Sequence, residues 1–149
     1  MKKPLTLLSI FLISALLMHA KAQDIQEENA IKKVIQSAYI DGLQNKGDIE
    51  AIKAGFHPGF NPLGVRDNTL TKFPIYSWLE YFSRSKEEKP EPPEHKVSCE
   101  YKQIDICGNA AMAKIELYKE KKLIFTDYLS LYKFNEGWRI VNKIYHRHE

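Results

Sequence analysis

From Lys96 to His146 the chain leaves room for little except β-structure. AMAKIEL, LIFTDYLSLYKF and GWRIVNKIY are dense in branched and aromatic residues, and short polar breaks separate them. The breaks at Gly108-Asn109, Glu120-Lys121 and Asn135-Glu136-Gly137 have hairpin-turn chemistry. They predict strands over Lys96–Ile106, Ala110–Lys119, Leu123–Phe134 and Trp138–His146. Strands joined this tightly pair antiparallel. A meander of this kind needs apolar cover, and the rest of the chain has to supply it.

The cover lies upstream. Between Gln26 and Gln44 the apolar residues Ile31, Val34, Ile35, Ala38, Tyr39 and Leu43 recur at helical spacing. Gly47 ends that helix, and Asp48 caps a second whose Ile49, Ile52 and Phe56 share a face until HPGFNPLG breaks it. Phe60 to Lys72 is turn-rich, with RDN between two short strands. Pro74 then opens a third helix carrying Ile75, Trp78, Leu79 and Phe82. KEEKPEPPEH is a solvated connection to the meander. Helices first and strands afterwards predict an α+β domain, with three helices packed on one face of an antiparallel sheet.

The start of the chain, MKKPLTLLSIFLISALLMHAKAQ, has the basic end, apolar run and small-x-small site of a secretory signal peptide cleaved after Ala22. Residues 23–149 are then expected to be one exported domain, periplasmic or secreted and free of the membrane. Loss of Lys2, Lys3 and Lys21 cancels the formal net charge of +3, so no basic balance favours nucleic acid. Cys99 and Cys107 lie on one extended strand, whose eight-residue span of ~26 Å exceeds the ~7 Å a disulfide allows. Two unpaired, partly buried thiols are expected.

Uninterrupted hairpin registers place Ile115, Leu117, Tyr128, Tyr132, Trp138, Ile140 and Ile144 on the face that meets the helices. Thr126, Ser130, Asn142 and His146 interrupt that face, with Ser130 opposite Asn142 and Thr126 opposite His146. Four polar groups in an apolar wall predict a cavity with a few convergent hydrogen-bonding groups. Asp127 falls on the outer face, in a cross-strand ion pair with Lys114. A bulge in any strand would exchange Asp127 for Ser130 at the pocket. The remaining outer face, with Met112, Phe125, Leu129, Leu131 and Val141, is apolar enough to be covered by a second copy of the chain.

Some chemistries find no support. GxGxxG, P-loop, HExxH, CxxC and GxSxG patterns are absent, so no cofactor is expected. His146 and His148 alternate at the terminus, but a structural zinc site needs four arranged ligands, so no metal is expected. Trp138 reads as core, whereas Trp78 suits either the core or a planar ligand.

The long first helix, NKGDIEAIKAGFHPGF, IYSWLEYF and the final meander together resemble the nuclear-transport-factor-two-like superfamily, a cone-shaped, cystatin-like α+β fold with a curved sheet. AMAKIEL, DYLSLYKF and GWRIVNKIY resemble more narrowly the putative lumazine-binding family of exported bacterial proteins. In the isomerase branch, the resemblance implies a helix tyrosine matching Tyr39 or Ile40, a base matching Leu63 and a second acid matching Ser130. A leucine cannot accept a proton, so isomerase activity is not expected. The dehydratase branch implies a histidine with tyrosines beside it, for which His57 is the weak catalytic candidate.

The leading expectation is an exported, homodimeric protein that binds a small, partly apolar ligand, planar ones included, in the cone. Tyr39, Tyr128, Tyr132 and Trp78 would supply contact area, and Ser130, Asn142 and His57 would set orientation. The alternatives are a dehydratase or isomerase using His57 and tyrosine, and an interaction module acting through its outer sheet face.

Overall fold

The computed structural model describes residues 22–88, 91 and 93–149. The leader assigned to residues 1–22 lies outside the described residues except for Ala22. The first helix, α1, covers residues 22–44, and its second half, Ile35–Gln44, is wound as π-helix. The bonds from Asn45 N to Ile40 O and from Gly47 N to Gly42 O, 3.0 and 2.8 Å, are i to i+5 contacts. Wider winding turns Ala38, Tyr39 and Ile40 together into the core, so the two helix positions expected as alternatives are both buried. Asn45 then fastens the helix end to the sheet: its Nδ2 donates to Val97 O at 2.9 Å and its Oδ1 accepts from Val97 N at 2.8 Å.

Asp48 caps α2 (Ile49–Gly55), its carboxylate accepting from Glu50 N at 3.0 Å. HPGFNPLG breaks the helix, as the sequence suggested, and forms most of β1 (Phe56–Arg66). Its pairing with β6 (Gly137–Arg147) is interrupted between Phe56 and Asn61, where Pro58 needs no ladder donor. Asp67 and Asn68, both with positive φ, turn the chain into β2 (Thr69–Lys72), and α3 (Ile75–Glu88) follows Pro74. β3 (Val97–Cys107), β4 (Ala110–Lys119), β5 (Lys122–Phe134) and β6 make the expected meander. The six strands run in the order β2-β1-β6-β5-β4-β3. The β1–β6 pair is parallel, which corrects the expectation of a wholly antiparallel sheet. Those two strands are distant in sequence, so no hairpin constrains their direction.

Two bulges decide which residues face inward. Between β4 and β5 the register moves from Tyr118 opposite Leu123 to Leu117 opposite Phe125, leaving Ile124 extra. Asp127 therefore stands opposite Ile115 rather than Lys114, and Lys114 meets Tyr128. The last hairpin has a two-residue turn, Asn135-Glu136, and recovers the expected register only after a second irregularity beside Val141. Ser130 does face Asn142, and Thr126 faces His146, but both pairs lie on the side away from the helices.

The core joins Ala113, Ile115 and Leu117 to Leu129, Leu131, Trp138 and Ile140, under Ile31, Ile35, Ile40 and Ile52 of the helices. Burial of each large aliphatic side chain contributes about 1.5–3 kcal/mol. Trp138 is core, as expected, and its indole donates to Glu27 Oε2 at 2.7 Å. The two cysteines are unpaired, as expected, but Cys107 is exposed rather than partly buried because it ends β3 beside the turn. Cys99 is half-buried, and burial pushes its thiol up to about 12.

At Gly55, α2 meets α1 so closely that a Cβ there would collide with Ala38 Cβ and lie 3.3 Å from Val34 Cγ1. Gly55→Ala should therefore lower the unfolding free energy by about 1–3 kcal/mol in urea titration through overpacking. An unchanged midpoint would mean that the two helices separate at no cost.

Candidate functional site

Three polar side chains from three elements meet in the core. Asp127 of β5 and Tyr39 of α1 are both 0% exposed, and Lys143 of β6 is 5% exposed. Tyr39 Oη donates to Asp127 Oδ2 at 2.5 Å. Lys143 Nζ donates to Tyr39 Oη at 2.6 Å and lies 3.2 Å from Asp127 Oδ2. Asp127 Oδ1 is buried without a hydrogen-bond partner among the described residues.

The bulges create this group. The first turns Asp127 inward with Leu129 and Leu131. The irregularity beside Val141 lets Ile140 and Lys143 share the inner side although they are three residues apart. Lys143 Nζ then sits among ring faces, 4.6 Å from the centroid of Tyr145, 5.0 Å from Tyr39 and 5.7 Å from both Trp78 and Phe125. Burial pushes the Lys143 ammonium below its ordinary range, and the Asp127 charge opposes that only in part. Tyr39 is pushed well above the usual phenol range, first by burial and then by the Asp127 charge.

Of the three, Lys143 alone borders an open cleft of about 640 Å³. Phe73, Trp78, Phe125 and Tyr145 give it aromatic walls, and Arg66, Lys72 and Arg147 give it cationic ones. No carboxylate lines it among the described residues. Gly64 makes room for a wall, since a Cβ there would come within 2.9 Å of Tyr145 Oη. A second hollow of about 450 Å³ lies between α1 and α3 and shares Trp78 and Gln44 with the cleft, but no buried charge borders it.

Of the residues expected at the site, Trp78 lies on the cleft wall, whereas Tyr39, expected as a ligand contact, is fully buried behind Lys143 and does not line the cleft. Ser130, Tyr128 and Tyr132 stand exposed on the outer sheet face, a correction that follows from the Ile124 bulge. Asn142 is half-buried on that side, with Nδ2 donating to Asn61 O at 2.9 Å. His57 is elsewhere: its Nδ1 accepts from Gly59 N at 3.0 Å and its ring stacks on Phe134 with centroids 5.0 Å apart. Asp127 is no partner of Lys114, whose ammonium lies 5.6 Å over the Tyr128 ring. The sequence reading missed Lys143 because unbroken alternation puts it outside, and the charged rim because Arg66, Lys72 and Arg147 are far apart in the chain.

Removing one member of a buried ion pair strands the other. Lys143→Met should cost about 3–5 kcal/mol in urea titration, and adding Asp127→Leu should restore most of it. The pH dependence follows from the same burial. Folded Lys143 releases its proton at a lower pH than the unfolded chain, whose ordinary value is 10.5, so stability rises with pH in the window beneath 10.5. Above 10.0 the raised Tyr39 works against that rise, because the unfolded phenol ionises first. The double variant should lack the rise when thermal midpoint is plotted against pH. A rise of equal size in it would assign the effect to other groups.

Residues 26–146 match the family described as Putative lumazine-binding. The chain is 27% identical over 109 residues to Aldolase FrzH of a Cladobotryum species, across 72% of this chain and 82% of that protein. An NTF2-like protein of unknown function from Shewanella baltica OS155 has a similar structure, with TM-score 0.65 and 29% identity over 84% of this chain and 96% of that one. Another, from Methylobacillus flagellatus KT, gives TM-score 0.63 and 25% identity over 84% and 94%. The chain therefore belongs to the Putative lumazine-binding family and has the nuclear-transport-factor-two-like fold.

Proposed function

We propose that the protein is an exported binder of small, anionic and partly planar molecules, which it holds in the cleft above Lys143. One observation carries this reading: three cationic side chains and four aromatic ones surround a cleft whose lining has no carboxylate. Aromatic walls give a flat ligand contact area, and a one-signed rim attracts and orients its charge. Tyr39 acts here through Lys143, which it holds in place, and Trp78 is a stacking surface. Export rests on the leader-like residues 1–22, with residues 23–149 as the single mature domain. That no described helix is long and apolar enough to cross a membrane is compatible with this.

Terephthalate, a flat dianion, is a suitable probe. Its affinity, followed by Trp78 fluorescence, should fall with added salt and fall roughly tenfold in Arg66→Gln/Arg147→Gln. Unchanged affinity in that variant would place binding elsewhere.

The outer sheet face supports a homodimer. Tyr128 at 37%, Tyr132 at 48% and Ile144 at 51% exposure form an apolar stripe there, with Ser130 and Asn142 between them. Sedimentation should show a dimer that Tyr128→Glu dissociates. A monomeric parent chain at the same concentration would remove this assembly.

A second reading, an enzyme acting on carbonyl compounds, is favoured by the buried amine at the cleft floor. The Cladobotryum relative's name, aldolase, is compatible with it. His57, packed against Gly59 and Phe134, is not needed for that chemistry.

A further inference from the structure

We propose that Lys143 is an amine nucleophile that condenses with an aldehyde or ketone group of a molecule in the cleft, with Asp127 carrying the proton. The inference rests on the cleft reading above and adds a covalent step to it.

The geometry distinguishes Lys143 from a counter-ion placed only for stability. It lines the cleft, whereas Asp127 and Tyr39 lie behind it. Its ammonium is within 3.2 Å of a carboxylate oxygen that can take a proton, and the same carboxylate keeps a second, unpartnered oxygen. The Tyr39 hydroxyl, 2.6 Å from Nζ and 2.5 Å from Asp127 Oδ2, bridges the two and fixes the side chain. Phe125, Tyr145 and Trp78 place their rings within 5.7 Å of the amine and Lys143 is only 5% exposed, an apolar surrounding that favours loss of water from an adduct. Burial also favours the neutral amine that attack requires.

The step balances without an added reagent. Asp127 accepts a proton from the ammonium, and the freed lone pair attacks the carbonyl carbon. The new C–N bond forms as the C=O π pair moves to oxygen. After the second amine proton transfers to that oxygen, Asp127 returns its proton to the hydroxyl, and the C–O bond breaks to release water. The nitrogen lone pair closes the C=N bond, leaving an iminium whose positive charge replaces that of the ammonium opposite Asp127. An anionic oxo compound is the chemical class that fits, its charge held at the rim by Arg66, Lys72 or Arg147.

The probe is 4-formylbenzoate with sodium cyanoborohydride at pH 7.5, applied to the purified protein and read by intact mass and peptide mapping. The expected result is one reduced adduct on Lys143, formed at least about tenfold faster than on any exposed lysine. Terephthalate, which lacks a carbonyl available for condensation, should compete with it, a readout that needs no variant. Lys143→Arg, with its fold checked by circular dichroism, should lose the fast adduct. Terephthalate binding with no preferred adduct at Lys143 would overturn the amine chemistry and leave the cleft reading intact. Failure of terephthalate to bind, together with no preferred adduct, would overturn both.

Discussion

A charge pair in an apolar core is the constraint on which this structure turns. Taking a carboxylate and an ammonium out of water costs several kcal/mol per ion, and their attraction offsets that only where the geometry is close and the remaining polar atoms are satisfied. Here the pair sits under the π-wound half of α1, where Tyr39 reaches both partners. One oxygen of Asp127 still has no partner among the described residues. A replacement by packed apolar side chains would serve stability nearly as well. The pair is therefore more informative about the cleft beside it than about what holds the fold together.

The placement of these groups depends on local departures from regular structure. Unbroken β5 would present Ser130 and Tyr128 to the helices and Asp127 to solvent. The extra residue Ile124 reverses that. Unbroken β6 would turn Lys143 outward, and the irregularity beside Val141 brings it in behind Ile140. In α1, wide winding aims Tyr39 at the pair while keeping Ile40 buried. Each departure is small, and together they replace an uncharged pocket by a charged one.

This also explains what could be read from the chain in advance. The helices announce themselves through spacing at Ile31, Ile35 and Ala38 and through the Asp48 cap. The meander announces itself through its turns, and the pairings of Ser130 with Asn142 and Thr126 with His146 emerge from hairpin geometry alone. The inner and outer faces do not, because period-two alternation carries no mark of where an extra residue will be accommodated. HPGFNPLG reads as a helix breaker because its prolines and glycines disfavour helix, and that reading says nothing of a strand. It becomes a strand because β6 offers a parallel partner with an interrupted register. The cationic rim was illegible for a different reason. Arg66, Lys72 and Arg147 come together only when β1, paired to β2, docks beside β6.

The cleft and the buried pair make one electrostatic arrangement. Asp127 balances Lys143 from behind, so the positive charges of Arg66, Lys72 and Arg147 remain available to a ligand at the rim. Without Asp127, a fourth cation at the floor would be unstable so far from water, and the lysine would give up its proton or move. With Asp127 in place, the amine can stay at the boundary between core and cleft, held by Tyr39 and shielded by rings. The carboxylate that makes a buried lysine tolerable is also the group placed to take its proton. In this fold, the structural and chemical roles of Asp127 are consequences of the same 3.2 Å contact.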